Sequence, residues 1–274
     1  MAEIAGLFAV SHTPVMTNFP EAPDAADRDE IYAQFRHIGA EIAALRPDAI
    51  IVVSDDHLHN FFFDNMPAFC IGAGEAHDSP MEGWLKVERR MLRGDRALAA
   101  HMIDSMFDLG FDPAFSLSLT LDHGMITPLE LCGIATLAPI VPVFINTVQP
   151  PMPRMARCIA FGRALGEAIR SHQGCSRVVV LATGGLSHDV GTPRMGMVSE
   201  AFDRGFLDRL AAGDDAELVR FGEAEVNSAG NGAEEIRNWL VAHGMAEGAP
   251  FHRFYYKAIP NWYTGIALGK WVLA

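Results

Sequence analysis

Short apolar runs alternate with longer stretches in which apolar residues recur every three or four positions. The runs are rich in β-branched residues and predict strands at 4–10, 49–53, 66–72, 115–121, 140–145 and 177–182. The three-to-four spacing predicts helices at 26–45, 81–109 with an interruption at Gly94, 128–137, 152–172, 200–210, 216–223 and 232–243. Strands therefore alternate with helices along most of the chain.

The apolar runs predict a sheet that is covered on both faces. Residues 49–53 are continuously apolar rather than alternating, which is typical of a parallel strand buried between two layers of helices. Pro142 lies inside the run 140–145 and therefore predicts an edge strand or a bulge there. Because no repeat and no Pro-, Gly- or Ser-rich linker interrupts the alternation, we predict one α/β domain over 1–274. Its central sheet is expected to be mostly parallel or mixed, with helices on both faces.

The composition narrows the choice of partner and compartment. The formal net charge is −13 and no cluster of Lys and Arg occurs, so nucleic acid and an anionic membrane are not expected as partners. No apolar run reaches the ~18 residues of a membrane span, and the first residues do not resemble a secretory leader. The four cysteines never form a close pair, which favours reduced thiols over disulfides or a thiolate zinc site. We expect a soluble, cytoplasmic protein.

Four histidines lie in polar turns, most of them directly after a strand-like run: His12, His57, His123 and His188. Open α/β sheets place their chemistry at the carboxyl ends of strands, so these imidazoles are predicted to meet at one edge of the sheet. A single histidine is more often structural, but chance does not align histidines at successive strand ends. We predict a metal site with two histidines and one carboxylate, attended by two histidines that transfer protons.

The carboxylate of this site is predicted among the acids that open the helix at 232–243. Glu234 and Glu235 are adjacent, and successive helical residues point about 100° apart, so only one of them can face a shared pocket. We favour Glu235, which lies one turn before Trp239 on a partly apolar face, where a carboxylate needs a cation. The alternative is that both acids simply favour the positive end of the helix dipole.

Two further side chains near these turns have alternative interpretations. His59 lies two residues after His57, so both would share a face in an extended stretch, and His59 is either a second metal contact or, as we prefer, a residue of the pocket rim. Ser187 precedes His188 but lies outside a Gly-x-Ser-x-Gly elbow. Proton transfer by His188 is therefore favoured over a nucleophilic serine.

Taken in order, these motifs resemble the LigB-type class III extradiol ring-cleavage dioxygenases. The resemblance is carried by Ser-His-Thr-Pro at 11–14, Asp-His-Leu-His-Asn at 56–60, Asp-His-Gly at 122–124, Gly-Gly-Leu-Ser-His at 184–188 and Glu-Ile-Arg-Asn-Trp at 235–239. It covers essentially the whole chain, and several ordered motifs are more specific than any one of them. The short interval between His188 and Glu235 is more similar to the catalytic β-subunit of protocatechuate 4,5-dioxygenase than to the longer dihydroxyphenylpropionate enzymes.

The resemblance implies a non-haem Fe(II) enzyme that opens a catechol-type ring with O₂ and gives a muconic semialdehyde-type product in aromatic catabolism. The iron ligands of the family fall on His12, His57 and Glu235, and its acid/base histidines fall on His123 and His188. His188 is assigned as the base that accepts a diol proton, and His123 as the group that donates or orients a proton afterwards. The doublet of glutamates leaves the register of the third ligand open.

The implied partners are an aromatic diol and O₂. The resemblance also implies either a separate small α-subunit that covers the site, or a homo-oligomer in which the Tyr- and Trp-rich segment at 254–266 forms part of the wall. Two other function classes share these features: a non-catalytic Memo-type binding protein on the same scaffold, and a zinc-dependent hydrolase, which also uses two histidines and a carboxylate. The presence of three ligand candidates together with two proton-transfer candidates argues against the binding protein.

Overall fold

The structure, a computed structural model, describes residues 1–273. Its ten strands are β1 (Glu3–Val10), β2 (Ala49–Ser54), β3 (Phe69–Gly72), β4 (Ala76–Ser79), β5 (Arg90–Arg93), β6 (Ala114–Ser116), β7 (Ile140–Ile145), β8 (Arg177–Thr183), β9 (Phe251–Ile259) and β10 (Thr264–Trp271). Eight of them form one sheet in the order β6-β3-β7-β2-β8-β1-β10-β9, and β4 pairs with β5 in a separate hairpin.

The centre of the large sheet is parallel and its flanks are mixed. Strands β7, β2, β8 and β1 run in the same direction. Strand β3 is antiparallel to β7, β10 is antiparallel to β1, and β9 is antiparallel to β10. The predicted mostly parallel or mixed sheet is confirmed, and the carboxyl ends of its four central strands lie at one edge.

Helices cover both faces of the sheet. They are α1 (Val15–Asn18), α2 (Ala25–Leu45), α3 (Arg96–Asp108), α4 (His123–Cys132), α5 (Met155–Ser171), α6 (Glu200–Ala212), α7 (Asp215–Ala229) and α8 (Ile236–Met245). The side chains of β2 alternate between two hydrophobic clusters. Ile50 packs in the cluster that includes Phe35 of α2, whereas Ile51 packs in the cluster that includes Trp239 of α8. The continuous apolar run at 49–53 is thus explained by burial on both sides.

Two helix predictions are wrong. The segment 81–109 is mostly not helical, because 90–93 pairs with 76–79 in the β4–β5 hairpin and α3 begins only at Arg96. The short helix predicted at 128–137 is instead α4, which begins at His123 because the Asp122 side chain accepts a hydrogen bond from the Gly124 N–H and caps the helix.

The strand that contains Pro142 is internal rather than at an edge. Strand β7 lies between β3 and β2. Its ladder with β3 involves only Val143 to Ile145, so Pro142 needs no N–H on that side. A Cβ at Gly72 would lie 2.4 Å from the Pro142 Cγ, so the glycine makes room for the ring. Within residues 1–273, no helix has the length and apolar content needed to cross a bilayer.

Candidate metal centre

The turns after β1 and β2 lie next to the turn after β8, because β8 lies between those two strands. Ser11 and His12 follow the last residue of β1. The buried Ser11 Oγ donates a hydrogen bond to the Gly265 carbonyl oxygen at 3.1 Å and accepts one from the Ala267 N–H at 3.0 Å. These bonds attach the His12 turn to β10 and fix its position at the edge of the sheet.

The three predicted metal ligands converge at this edge. The His12 Nε2 atom lies 3.4 Å from the His57 Nε2 atom and 3.5 Å from a carboxylate oxygen of Glu235. The second carboxylate oxygen of Glu235 lies 3.7 Å from the His57 Nε2 atom. Glu235 ends a 3-10 helix (Asn231–Glu235) and directly precedes α8. Donor atoms at these separations can share one ion.

Neighbouring polar groups hold the two imidazoles in a ligating orientation. The His57 Nδ1 atom lies 3.0 Å from an Asp122 carboxylate oxygen, which also accepts the His57 backbone N–H at 2.9 Å. The His12 Nδ1 atom lies 3.3 Å from the Thr183 Oγ1 atom. Both histidines therefore present Nε2 to the common centre, as metal-binding histidines with a hydrogen-bonded second nitrogen do.

The Gly-Gly turn after β8 supports the carboxylate of Glu235. The Gly185 N–H donates to the Glu235 Oε2 atom at 2.6 Å. Gly184 has a φ of +118°, and a Cβ there would lie 3.0 Å from the Glu235 Cβ. Glycine is therefore needed at this position for both backbone conformation and space.

The charges around the two imidazoles fit a cation. Asp55 is fully buried: its Oδ1 atom accepts a hydrogen bond from the Asn238 amide at 3.0 Å, and its Oδ2 atom lies 3.4 Å from the His57 Nε2 atom. That Oδ2 atom has no hydrogen-bond partner among the described residues. Burial and the charge of Glu235 raise the pKa of Asp55 to about 7. A buried carboxylate oxygen without a partner, directed at ligating atoms, is favourable when a metal ion lies there.

Two of the three predicted ligands, His12 and Glu235, have protonation states that suit metal binding. Burial lowers the pKa of His12 to about 3, so its imidazole is neutral near pH 7. Burial acts against ionisation of Glu235, but His12 and His188 hold the pKa of this carboxyl well below its usual range. A neutral imidazole and an ionised carboxylate are the forms that bind metals. Burial acts to lower the pKa of the third ligand, His57, but the charges of Asp55 and Asp122 raise it well above its usual value, so a metal would displace a proton from this imidazole.

The predicted proton-transfer residue His123 lies against this cluster. Its ring centroid is 4.0 Å from that of His57. Its Nδ1 atom lies 2.5 Å from the Oε1 atom of Glu82, which also accepts the His123 backbone N–H at 3.1 Å. The Nε2 atom of His123 therefore remains available to a ligand in the cavity. Burial, followed by the charge of His57, lowers the pKa of His123.

The second predicted proton-transfer residue, His188, lies next to Glu235. Its Nδ1 atom lies 2.9 Å from the Leu186 carbonyl oxygen, to which it donates, and its Nε2 atom lies 3.3 Å from the Glu235 Oε1 atom. Burial acts to lower the pKa of His188, but the charge of Glu235 and its hydrogen bond together have the larger effect and raise this pKa. Gly232 packs directly against the ring, since a Cβ there would lie only 1.9 Å from the His188 Nε2 atom.

Ser187 is an integral part of the loop that carries His188. It is buried, its N–H donates to an Asp203 carboxylate oxygen at 2.8 Å, and its Oγ atom accepts the Ser199 N–H at 2.8 Å. Asp203 in turn accepts a hydrogen bond from the Tyr256 hydroxyl at 2.8 Å. These contacts give Ser187 a structural role in fixing the loop.

The remaining candidates lie outside the three-ligand cluster. Glu234 forms a buried ion pair with Arg237, whose Nε donates to the Pro153 carbonyl oxygen at 2.8 Å. Its neighbour Glu235 is the member of the doublet that lies in the cluster. The His59 Nε2 atom lies 3.2 Å from Glu82 and belongs with it to a second group of close donor atoms.

Sequence analysis assigned no role to three acids that the structure brings to the site. Asp55 and Asp122 lie in the same turns as His57 and His123, so adjacency to a candidate ligand was an available signal. Glu82 lies in the loop between β4 and β5, in the segment predicted as helix, and no local motif marks it.

A cavity of about 340 Å³ opens onto the cluster. Its inner wall is formed by His12, His57, His123, His188 and Glu235. Trp262 and Tyr263 also line the cavity, so the aromatic C-terminal segment contributes to the wall. A second cavity of about 200 Å³ shares Val190 with it and reaches the same cluster from another side.

Comparison with known proteins gives consistent matches along the chain. A family model described as the catalytic LigB subunit of aromatic ring-opening dioxygenase matches residues 6–267. Relatives named 2,3-dihydroxyphenylpropionate/2,3-dihydroxicinnamic acid 1,2-dioxygenase occur in Pseudomonas putida, at 32% identity over 95% of this chain and 96% of the relative, and in Burkholderia vietnamiensis, at 31% identity over 94% of each. The Photorhabdus laumondii enzyme of that name is 28% identical over 96% of this chain and 95% of the relative.

A solved structure supports the fold independently. The crystal structure of an uncharacterised Escherichia coli K12 protein superposes with a TM-score of 0.67, covering 97% of this chain and 99% of that chain at 17% sequence identity. At this identity the similarity concerns the arrangement of the sheet and helices alone.

Proposed function

We propose that this chain, which belongs to the LigB family and is a metal-dependent extradiol dioxygenase that opens catechol-type rings in aromatic catabolism, binds Fe(II) through His12, His57 and Glu235. The observation that carries the proposal is the convergence of these three side chains, with separations of 3.4, 3.5 and 3.7 Å between their donor atoms. Two histidines and one carboxylate are the ligand set of many non-haem Fe(II) oxygenases, and they leave coordination positions open.

Held by His12, His57 and Glu235, Fe(II) would supply coordination sites for the diol and O₂, would lower the pKa of the diol hydroxyls and would bring the two reactants together. The chain's own residues supply the surroundings for this chemistry. The cavity of about 340 Å³ holds the ring beside the ligands, and His123 and His188 lie close to them. The burial of His12 and Glu235 keeps bulk water from the reacting groups.

His188 is proposed as the base that accepts a proton from the diol. Donation from Nδ1 to the Leu186 carbonyl oxygen fixes the ring and leaves Nε2 at the cavity wall. The charge of Glu235 raises the pKa of His188. Once Glu235 serves as a ligand, its charge is shared with the metal and no longer retains a proton on His188, so Nε2 becomes free to accept one.

His123 is proposed as the group that donates or orients a proton later in the reaction, and Glu82 as the residue that positions it. Glu82 accepts hydrogen bonds from both the Nδ1–H and the backbone N–H of His123 through one oxygen. This arrangement fixes the tautomer of His123 and directs Nε2 to the cavity. Glu82 touches neither the three ligands nor the space for the diol, so it acts through His123.

Substitution of Glu82 tests this positioning role. Glu82→Ala is expected to lower kcat about 10-fold to 100-fold, because the His123 ring loses its acceptor, with KM for the diol and the iron content unchanged. Glu82→Gln keeps an acceptor oxygen and is expected to restore most of kcat. The measurement is steady-state oxygen uptake together with iron analysis. Equal defects in both variants, or a change confined to KM, would contradict the role.

The function is tested with anaerobically purified protein reconstituted with Fe(II), Zn(II) or no metal. We expect oxygen uptake on catechols only with Fe(II), equimolar with a yellow ring-opened product. Activity with Zn(II) alone on an ester or amide would instead favour the hydrolase. The absence of oxygen uptake on every diol, together with tight binding of a protein partner, would favour the Memo-type binding role.

We further propose that residues 1–274 act as one catalytic domain within a homo-oligomer. The family match over 6–267 and the coverage of the relatives over nearly their whole length support the domain assignment. Exposed Phe107, Phe115 and Leu117 line a groove beside the edge strand β6, which suits contact with a second copy. The four cysteines are free, which supports a reducing, cytoplasmic location.

A further inference from the structure

The outer wall of the active-site cavity is apolar and aromatic. We define it as the side chains of Val15, Trp84, Val190, Met195 and Tyr263. Trp84 is 58% exposed, Val190 60% and Met195 48%, so large apolar surfaces border the entrance. Exposed apolar groups clustered around a cavity are typical of a binding surface that a ligand covers.

Among the residues that the structure describes, the same cavity is lined by no lysine or arginine side chain. The carboxylates there are Asp189 and Glu235. A carboxylate on the ring substituent would lose hydration on entering and would meet no lysine or arginine side chain in compensation.

Two cations that lie beside outer-wall residues in sequence, Lys86 and Arg194, are already engaged in other contacts. The Arg194 Nε donates to an Asp189 carboxylate oxygen at 2.9 Å, and its Nη2 donates to the Ser228 carbonyl oxygen at 2.8 Å. The Lys86 Nζ donates to the Asn18 carbonyl oxygen at 2.7 Å. Moving either cation into the cavity would break these bonds. The net charge of −13 also lowers the local concentration of anionic substrates.

We propose that the outer wall is a subsite for an uncharged, apolar ring substituent, so that the substrate is an alkyl- or aryl-substituted catechol rather than a catechol acid. The inference rests on the proposed function and adds the substrate class to it. It separates this chain from the relatives described above, whose names specify a propionate.

The test compares diols that differ only in the substituent. With the Fe(II)-loaded enzyme, kcat/KM is expected to rise about fourfold for each methylene from 3-methylcatechol to 3-butylcatechol, because each added group is buried against the outer wall. The methyl ester of 2,3-dihydroxyphenylpropionate is expected to exceed the free acid at least about tenfold. Preference for the free acid, or no gain with chain length, would overturn the inference.

A charge introduced at the rim provides the matched variant. Met195→Lys places an ammonium group in the outer wall without touching the ligands, and it is expected to raise kcat/KM for the free acid and to reduce the ester preference at least about tenfold. Met195→Leu keeps the apolar wall and is expected to retain the wild-type ratio. If the Met195→Lys enzyme cleaves catechol but has an unchanged ratio of kcat/KM for the ester to that for the free acid, the proposed apolar subsite is contradicted. If no diol is cleaved by the wild type, the proposed function fails and the subsite with it.

Discussion

His12→Ala and Glu235→Ala proteins are expected to purify without iron and without measurable ring cleavage. Each change removes one of three side chains whose donor atoms approach one another to 3.7 Å or less. Loss of an outer-shell partner already lowers metal affinity 10-fold to 100-fold, so loss of a ligand is expected to exceed about 100-fold. The measurement is iron per chain after anaerobic reconstitution and desalting, with oxygen uptake on catechol as the second readout.

The adjacent glutamate provides a matched control. Glu234 is buried like Glu235, but its carboxylate pairs with Arg237 rather than with the cluster. Glu234→Gln keeps a hydrogen-bond acceptor for Arg237 and is expected to retain a full complement of iron. Normal iron content in Glu235→Ala, or loss of iron in Glu234→Gln, would indicate that Glu234 rather than Glu235 binds the metal. Either result would overturn the assignment of the third ligand.

His188→Ala is expected to keep iron and lose turnover. General acid–base catalysis by one side chain contributes about 10²-fold to 10⁴-fold, and kcat is expected to fall within that range. His57 and Glu235 remain in place because their supports, Asp122 and the Gly185 N–H, do not involve the His188 ring. Single-turnover cleavage of bound catechol, measured with iron content, separates the two effects. Loss of metal from this variant would make His188 a ligand and contradict the division of roles.

A substitution at Gly232 is expected to displace the His188 side chain without removing it. In Gly232→Ala, the new methyl group would lie 1.9 Å from the His188 Nε2 atom, so the ring must move. We expect a fall in kcat approaching that of His188→Ala, with iron retained. Gly83→Ala is the control, because a Cβ there has no atom within 4 Å. Wild-type kcat in Gly232→Ala would show that the position of His188 does not limit the reaction.

The convergence of the site was predictable because it follows from topology. Residues that follow parallel strands meet at one edge of a sheet, and the apolar runs before His12 and His57 identified two such strands. The preference for Glu235 over Glu234 followed from helical geometry and agrees with its placement, although the acids lie in a 3-10 helix just before α8. The local sequence was sufficient to predict the structure of a segment wherever burial of the whole segment determines that structure.

Features that depend on long-range pairing were not predictable. Leu85 and Leu92 have apolar spacing compatible with a helix, but pairing between β4 and β5 places them in a loop and a hairpin. The error removed Glu82 from consideration, because its proximity to His123 exists only once that hairpin packs beside α4. The strand that contains Pro142 was wrongly predicted at an edge for a similar reason. An internal strand accommodates this proline because Gly72 in a neighbouring strand leaves space for its ring.

The attachment of the His12 turn to β10 determines when the metal centre can exist. Ser11 and Gly265 are separated by 254 positions, and the Leu186 N–H also donates to the Gly265 carbonyl oxygen at 3.2 Å. While β10 is still inside the ribosome, neither the turn that carries His12 nor the loop that carries His188 has its anchor. A nascent chain therefore lacks the anchors of both loops, and the predicted metal centre is completed only after β10 has emerged.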